Sequence, residues 1–300
     1  MRKLFKTAIP VAGILAAATV FAGCTSVKQA DKLTVSDLFA DAVNIIKKNN
    51  SLSVDGDVDM SVKMESSGLS FAVDVTGDAK MEADIKNDVV HSEFDSEIGT
   101  MGLSQSMLVE NYVVRDGEKY ISYTAKTTGD DQDKQWSYTV KDTGGFSVAE
   151  FLNKIDIKDD GFINALENAT TDLVITGEAE TIENKECYVV SGILQLNGDA
   201  TNNLSSDHTT TVTDDKLDIK SVWYFAKDNH ELKRAKLDLA SSIKNINTDV
   251  FNIAFEPEKL NLTLDFSYDK TIEITVPEEI KENAKESVDS ENAIDLMMEM

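Results

Sequence analysis

Cysteine, proline, histidine and positive charge are all scarce in this 300-residue chain. Its 2 cysteines, Cys24 and Cys187, cannot supply a disulfide framework. Its 3 prolines, Pro10, Pro257 and Pro277, leave no proline-rich linker to divide it. His91, His208 and His230 stand far apart, and none has metal-like spacing from a cysteine or another histidine. That argues against a zinc site or a catalytic triad. No glycine-rich loop follows a strand and opens a helix, which argues against a phosphate-binding loop. No apolar run reaches the roughly 20 residues of a membrane span. With 29 basic against 54 acidic side chains, the formal net charge is −25. Such a surface repels nucleic acid and anionic headgroups. These absences point to a non-enzyme with no cofactor and no nucleic-acid partner.

What is present starts at the N-terminus. Arg2, Lys3 and Lys6 precede an apolar run from Ala8 to Ala22, broken only by Pro10, Gly13 and Thr19. A basic start, a short apolar core and small residues at its end are the parts of a secretory signal, here residues 1–23. Phe21-Ala22-Gly23-Cys24 resembles the bacterial lipobox, with Phe21 where leucine is usual. The resemblance implies cleavage before Cys24, lipidation of its thiol, and anchoring on the extracytoplasmic face of a cell membrane. Each buried methylene of such an anchor contributes about 0.8 kcal/mol. The alternative is an ordinary signal peptide that happens to contain a cysteine. Residues 24–34 read as the lipidated cysteine and a polar tether. Removing residues 1–23 lowers the 29 basic side chains to 26 against 54 acidic ones, a formal charge of −28. A cationic envelope partner would suit that surface, although a simple solvated acidic surface accounts for it too.

The remaining chain switches from helical to twofold periodicity. Ser36 to Lys48 predicts a helix, with Ser36 as N-cap, Asp37 in its first turn and Lys47 and Lys48 in its last. Leu38, Ala42, Ile45 and Ile46 fall on one face, widened by Phe39 and Val43. Leu52, Val54, Val58, Met60, Val62 and Met64 then alternate with polar residues, among them Asp55, Asp57 and Asp59. After Ser66-Ser67-Gly68, the residues Leu69, Phe71, Val73, Val75, Ala79, Met81, Ala83 and Ile85 do the same. This is the pattern of an antiparallel sheet with one covered face. Gly56 and Gly77 fall on the apolar side and predict bends. Further strands follow to Val140, with an Asp116-Gly117 hairpin, and resume from Leu173 to Tyr268. Ile272 to Val276 predicts a last short strand. Between the two sheet-rich stretches, about 147–169 predicts a helical insert. From Glu278 to Met300 the chain predicts an acidic tail, mostly disordered or loosely helical.

One motif nearly fits a calcium loop. Asp156, Asp160 and Glu167 stand at positions 1, 5 and 12 of an EF-hand pattern, with Gly161 at the turn. Lys158 places an ammonium where an oxygen ligand belongs, so a glycine turn between two helices is the preferred reading and no metal is expected. Asp55, Asp57 and Asp59 would lie about 6.6–7 Å apart along one strand face, too spread for one ion. Cys187 reads as a half-buried hydrophobe in a strand.

An early helix followed by many long strands behind a lipobox resembles the lipoprotein carrier superfamily typified by LolA, LolB and LppX. The segments Glu186 to Gly192, Val222 to Arg234 and Ile274 to Glu279 resemble uncharacterised lipoproteins of Gram-positive bacteria assigned to that fold. The resemblance covers about 36–279. It implies an α+β fold: a strongly curved antiparallel sheet, a half-barrel, covered by a few helices, as a single domain over 35–277. It also implies an apolar cavity for a lipid-like ligand, lined by Leu38, Phe39, Val58, Met60, Val62, Met64, Phe71, Val73 and Met81. The methionines suit adaptable apolar contacts, as they suit any sheet core. An envelope interaction or sensory module without a small ligand is the alternative.

Overall fold

A computed structural model describes residues 33–66, 69–129, 134–141, 168–197, 211–212, 216–240, 246–247, 254–268 and 271–287. The signal-like segment, Cys24, most of the tether, and Asp156, Asp160 and Glu167 lie outside the described residues.

The amphipathic stretch forms helix α1, Val35–Lys48. Its N-cap is Thr34, not Ser36. The Asp37 N–H donates to Thr34 Oγ1 at 3.1 Å, and the Thr34 N–H donates to Asp37 Oδ2 at 2.9 Å. Both halves of a capping box are therefore made, which requires the acid three residues after the cap; only Thr34 meets that spacing. The Asn49 N–H closes the other end on the Ile45 carbonyl at 3.0 Å.

Twofold alternation then gives β1 (Ser51–Ser66) and β2 (Leu69–Asp84), which pair from Ser51 opposite Asp84 to Ser66 opposite Leu69. The meander continues through β3 (Val89–Thr100), β4 (Leu103–Asp116), β5 (Lys119–Thr128) and β6 (Trp136–Lys141). The second stretch supplies β7 (Asp172–Ile182), β8 (Lys185–Asn197), β10 (Lys216–Ala226), β11 (Leu232–Asp238) and β13 (Ala254–Ser267). A minor pair, β9 (Thr211–Val212) with β12 (Ile246–Asn247), stands apart. Last come α2 (Glu278–Asn283) and β14 (Lys285–Glu286).

The two stretches build one open sheet of 12 strands, in the order β14-β6-β5-β4-β3-β2-β1-β13-β11-β10-β8-β7. The join is the antiparallel pairing of β1 with β13. Along it, Ser61 faces Lys259 and Val62 faces Pro257, so Glu258 is an extra residue in a bulge. Proline lacks the ladder N–H, and a bulge is where an inner strand tolerates it. Every pairing in the large sheet is antiparallel except that of β14 with β6.

The protein is mostly sheet. Of the helices expected to cover it, α1 lies on the apolar inner face. Its Leu38, Phe39, Ala42 and Ile46 join Val54, Val190, Trp223, Phe225, Leu264 and Phe266 in the main core. Two expectations for the C-terminal part are corrected. Ile272 to Val276 pairs with no strand: its alternation comes from lying across the sheet, where Val276 is buried with Tyr123. The segment from Glu278 to Ser287 is ordered, because Ile280 buries in that same cluster and β14 pairs on β6. Tyr123 points to the outer face, so the C-terminal segment crosses the side opposite α1. Residues 288–300 lie outside the described residues.

Candidate ligand-binding face

Residues directly opposite in a ladder share a face, so the register sorts the inner side chains into rows. At the near end, where β1 starts, Leu52 lies opposite Ala83, and Val54 lies between Met81 and Phe266. Leu38 is fully buried and Phe39 is 2% exposed. The Phe39 ring meets the edge of Trp223 at 5.1 Å and of Phe225 at 5.0 Å. Trp223 satisfies its buried indole by donating Nε1–H to Ser221 Oγ at 2.8 Å. The space under α1 is filled. Leu38 and Phe39 are core residues, and two aromatic rings on β10 occupy the depth beneath the helix.

Towards the far end, where the β1–β2 and β3–β4 hairpins turn, the same face changes character. Val58 lies between Gly77 and Leu262, Met60 between Val75 and Leu260, and Val62 between Val73 and Pro257. The row continues with Ile98 opposite Val75 and Phe94 opposite Ala79. Val58, Met60, Val62, Phe71, Val73, Phe94 and Ile98 are half-buried, with Val75 and Met107 buried among them. Val58 and Met81 pack against the rim of the main core. Among the described residues, Met60, Val62, Phe71 and Val73 join none of the buried clusters. The Met64 side chain lies outside the described residues.

Gly77 explains the local shape. A Cβ there would stand 2.6 Å from the Asp95 carbonyl oxygen, 2.8 Å from Ser96 Cβ and 3.1 Å from the Phe94 ring. Neighbours converge over the inner side of this position, as in a sheet bent towards that side. Six of the nine residues read from sequence as cavity lining are therefore brought onto one apolar face: Val58, Met60, Val62, Phe71, Val73 and Met81.

Across β1, β2 and β3 the outer face is wet and acidic. Asp57 lies opposite Asp78, and Asp78 opposite Asp95, a row of like charges across three strands. Burial, and then the neighbouring Asp78, push the Asp57 carboxyl above its ordinary value. Counter-charges stand on either side. Arg234 donates to Asp265 through Nε at 2.5 Å and Nη2 at 2.6 Å, and Lys259 pairs with Asp59. Among the described residues, no group of three or more histidine, cysteine or acidic side chains is placed to hold a metal ion.

Further along the outer face is a cluster that the sequence did not disclose. Glu110 is 8% exposed; its Oε1 lies 3.1 Å from His91 Nε2, and it accepts from Lys134 Nζ at 2.5 Å. Burial acts to raise its pKa, but Lys134 and His91 outweigh it and hold the carboxyl below its ordinary value. Tyr112 stacks on His91 at 4.4 Å, and burial together with Glu110 pushes its hydroxyl up to about 12. These residues span 43 positions, from His91 to Lys134; the register of β3 on β4 brings His91, Tyr112 and Glu110 together and the approach to β6 adds Lys134, which no local motif announces. A buried pair, Lys233 with Glu231 at 3.0 Å, sits at a bulge where Tyr224 and Phe225 face Arg234 and Leu232. Cys187 is fully buried, and burial pushes its thiol up, away from the reactive thiolate.

No family model matches the chain, and no curated protein sequence matches it. Among solved structures it is similar to a DUF1329 family protein from Desulfovibrio piger, at 14% identity over 80% of this chain and 95% of that one, with a TM-score of 0.19. It is also similar to a beta-barrel-like protein of domain of unknown function DUF1849 from Brucella abortus, at 10% identity over 72% of this chain and 98% of that one, with a TM-score of 0.26. Superpositions this shallow carry no argument about function.

Proposed function

We propose that this chain is a non-catalytic, lipid-anchored extracytoplasmic protein that holds an apolar, lipid-like ligand against the far half of its inner sheet face. The half-barrel of the lipoprotein carriers is the finer shape this reading adopts for the sheet. The observation that carries it is the change along β1, from fully buried valine at Val54 to half-exposed apolar side chains at Val58, Met60 and Val62 on the same face. Apolar surface left partly in water gains roughly 25 cal/mol per Å² when a ligand covers it. Anchoring through Cys24 would place that face beside the membrane where such ligands arise.

The test is native mass spectrometry of the chain starting at Thr25, which keeps every described residue, with lipid extraction of the same sample. A stoichiometric lipid adduct, lost in Val62→Asp, is the expected result. A clean apo mass with no uptake of added fatty acid overturns the reading. The Asp57, Asp78 and Asp95 row favours a second reading, a cationic envelope partner on the outer face. That one predicts capture of a polycation that weakens with salt.

A further inference from the structure

We infer that the turn between β3 and β4 is a membrane-contacting tip, whose Met101 and Leu103 enter the interfacial zone of a lipid bilayer. Three features meet there. Met101 is 82% exposed and Leu103 74%, the most exposed large hydrophobics among the described residues, and they flank one glycine. The run from Ile98 to Val109 carries no charged side chain, in a chain that is 28% charged. Met101 has φ 52 and Gly102 φ 77, a two-residue turn of the left-handed kind that ordinarily takes asparagine, aspartate or glycine. Among the described residues, the other non-glycine residues with positive φ are Asp88, Glu183, Asn184 and His230, all polar. Met101 contributes nothing to the turn that a polar residue would not supply better.

Charge decides the occupant. The net charge of −25 keeps most of this surface away from anionic headgroups and makes any entry into low dielectric costly. The turn itself carries no charge; the nearest carboxylate, Glu97, accepts from Ser104 Oγ on the outer side, away from Leu103, and the two apolar side chains gain by leaving water. Leu103 pairs opposite Thr100 on the inner face, the face that carries Ile98, Met107, Phe94 and Val109 further along β3 and β4. The inference does not depend on a ligand lying on that face: bilayer binding without ligand uptake leaves it standing.

The test uses the chain from Thr25, so that no acyl anchor contributes, labelled with an environment-sensitive fluorophore at Met101→Cys. The same label at Glu118→Cys, in the exposed β4–β5 turn at the opposite end of the sheet, is the control; Cys187 is buried and does not compete. With phosphatidylcholine vesicles, the label at 101 shifts to the blue and is quenched by spin-labelled acyl chains, while the label at 118 is unchanged. Enriching the vesicles in phosphatidylglycerol weakens the response. Leu103→Asp, checked for native fold by circular dichroism, lowers vesicle binding by at least about tenfold, as expected for losing one buried leucine side chain. No blue shift with any vesicle overturns the inference. So does an equal response at 101 and 118, or a shift that grows with protein concentration in the absence of lipid, which marks self-association.

Discussion

The two ends of the β1–β2 hairpin share strands, register and residue types, yet among the described residues the side chains of β1 are sealed at one end and half-exposed at the other. At the near end Val54 is 1% exposed beneath α1. Two turns of the pleat further on, Val58 is half-buried, and Val62 remains so to the far end. Sequence periodicity is the same throughout, because alternation records which face is apolar and not what lies against it. The difference is made by α1, whose 14 residues span about 21 Å, while 16 extended residues span about 53 Å. One helix of this length cannot cover such a hairpin from end to end.

That contrast can be broken by substitution. Phe39→Ala removes the ring that α1 sets between Trp223 and Phe225, and should cost about 3–5 kcal/mol in urea unfolding. The matched pair on β1 is the sharper experiment. Val54→Ala should cost about 2 kcal/mol, from two lost methyl groups and a cavity, whereas Val62→Ala should cost less than about 1 kcal/mol. Equal costs would mean that the far end is packed as tightly as the near end, and the ligand-face reading would fall. The smallest effect is on the outer face. The Asp57 carboxyl is raised in the fold, so its repulsion from Asp78 is absent at low pH and grows as pH rises through its folded value. Asp78→Asn should therefore stabilise by less than about 1 kcal/mol at neutral pH and low salt. The gain should shrink with added salt and disappear in acid; a gain that persists in acid would place its origin elsewhere.

Much of the architecture was legible because local physics set it. The 3.6-residue spacing of Leu38, Ala42 and Ile46 gave α1, and the twofold alternation of Val58 to Met64 gave β1. Asp116-Gly117 marked a hairpin that Gly117 closes with φ 62. Gly77 was readable as a bend, since only a glycine fits where Asp95 and Ser96 close in. The cap was misplaced by two residues, because Ser36 and Thr34 are chemically alike and only the Thr34–Asp37 spacing separates them. Ile272 to Val276 read as a strand because an extended segment lying on a sheet alternates just as a paired one does. The packing beneath Phe39 was hidden because Trp223 and Phe225 reach it from a strand almost two hundred residues away. The Glu110, His91 and Lys134 cluster was hidden for the same reason, being a product of register alone.

The pairing of β1 with β13 also sets a schedule. Residues 51–66 emerge early from the ribosome, and their partner, 254–267, about two hundred residues later. Until then β1 is an open edge sixteen residues long, and β6 stays uncovered until Lys285 and Glu286 arrive to pair on it. A sheet whose strands wait this long for their partners folds slowly and presents unpaired edges to its neighbours meanwhile. The carboxylates of Asp55, Asp57 and Asp59 give the waiting edge of β1 a charge that discourages one copy from pairing with the next.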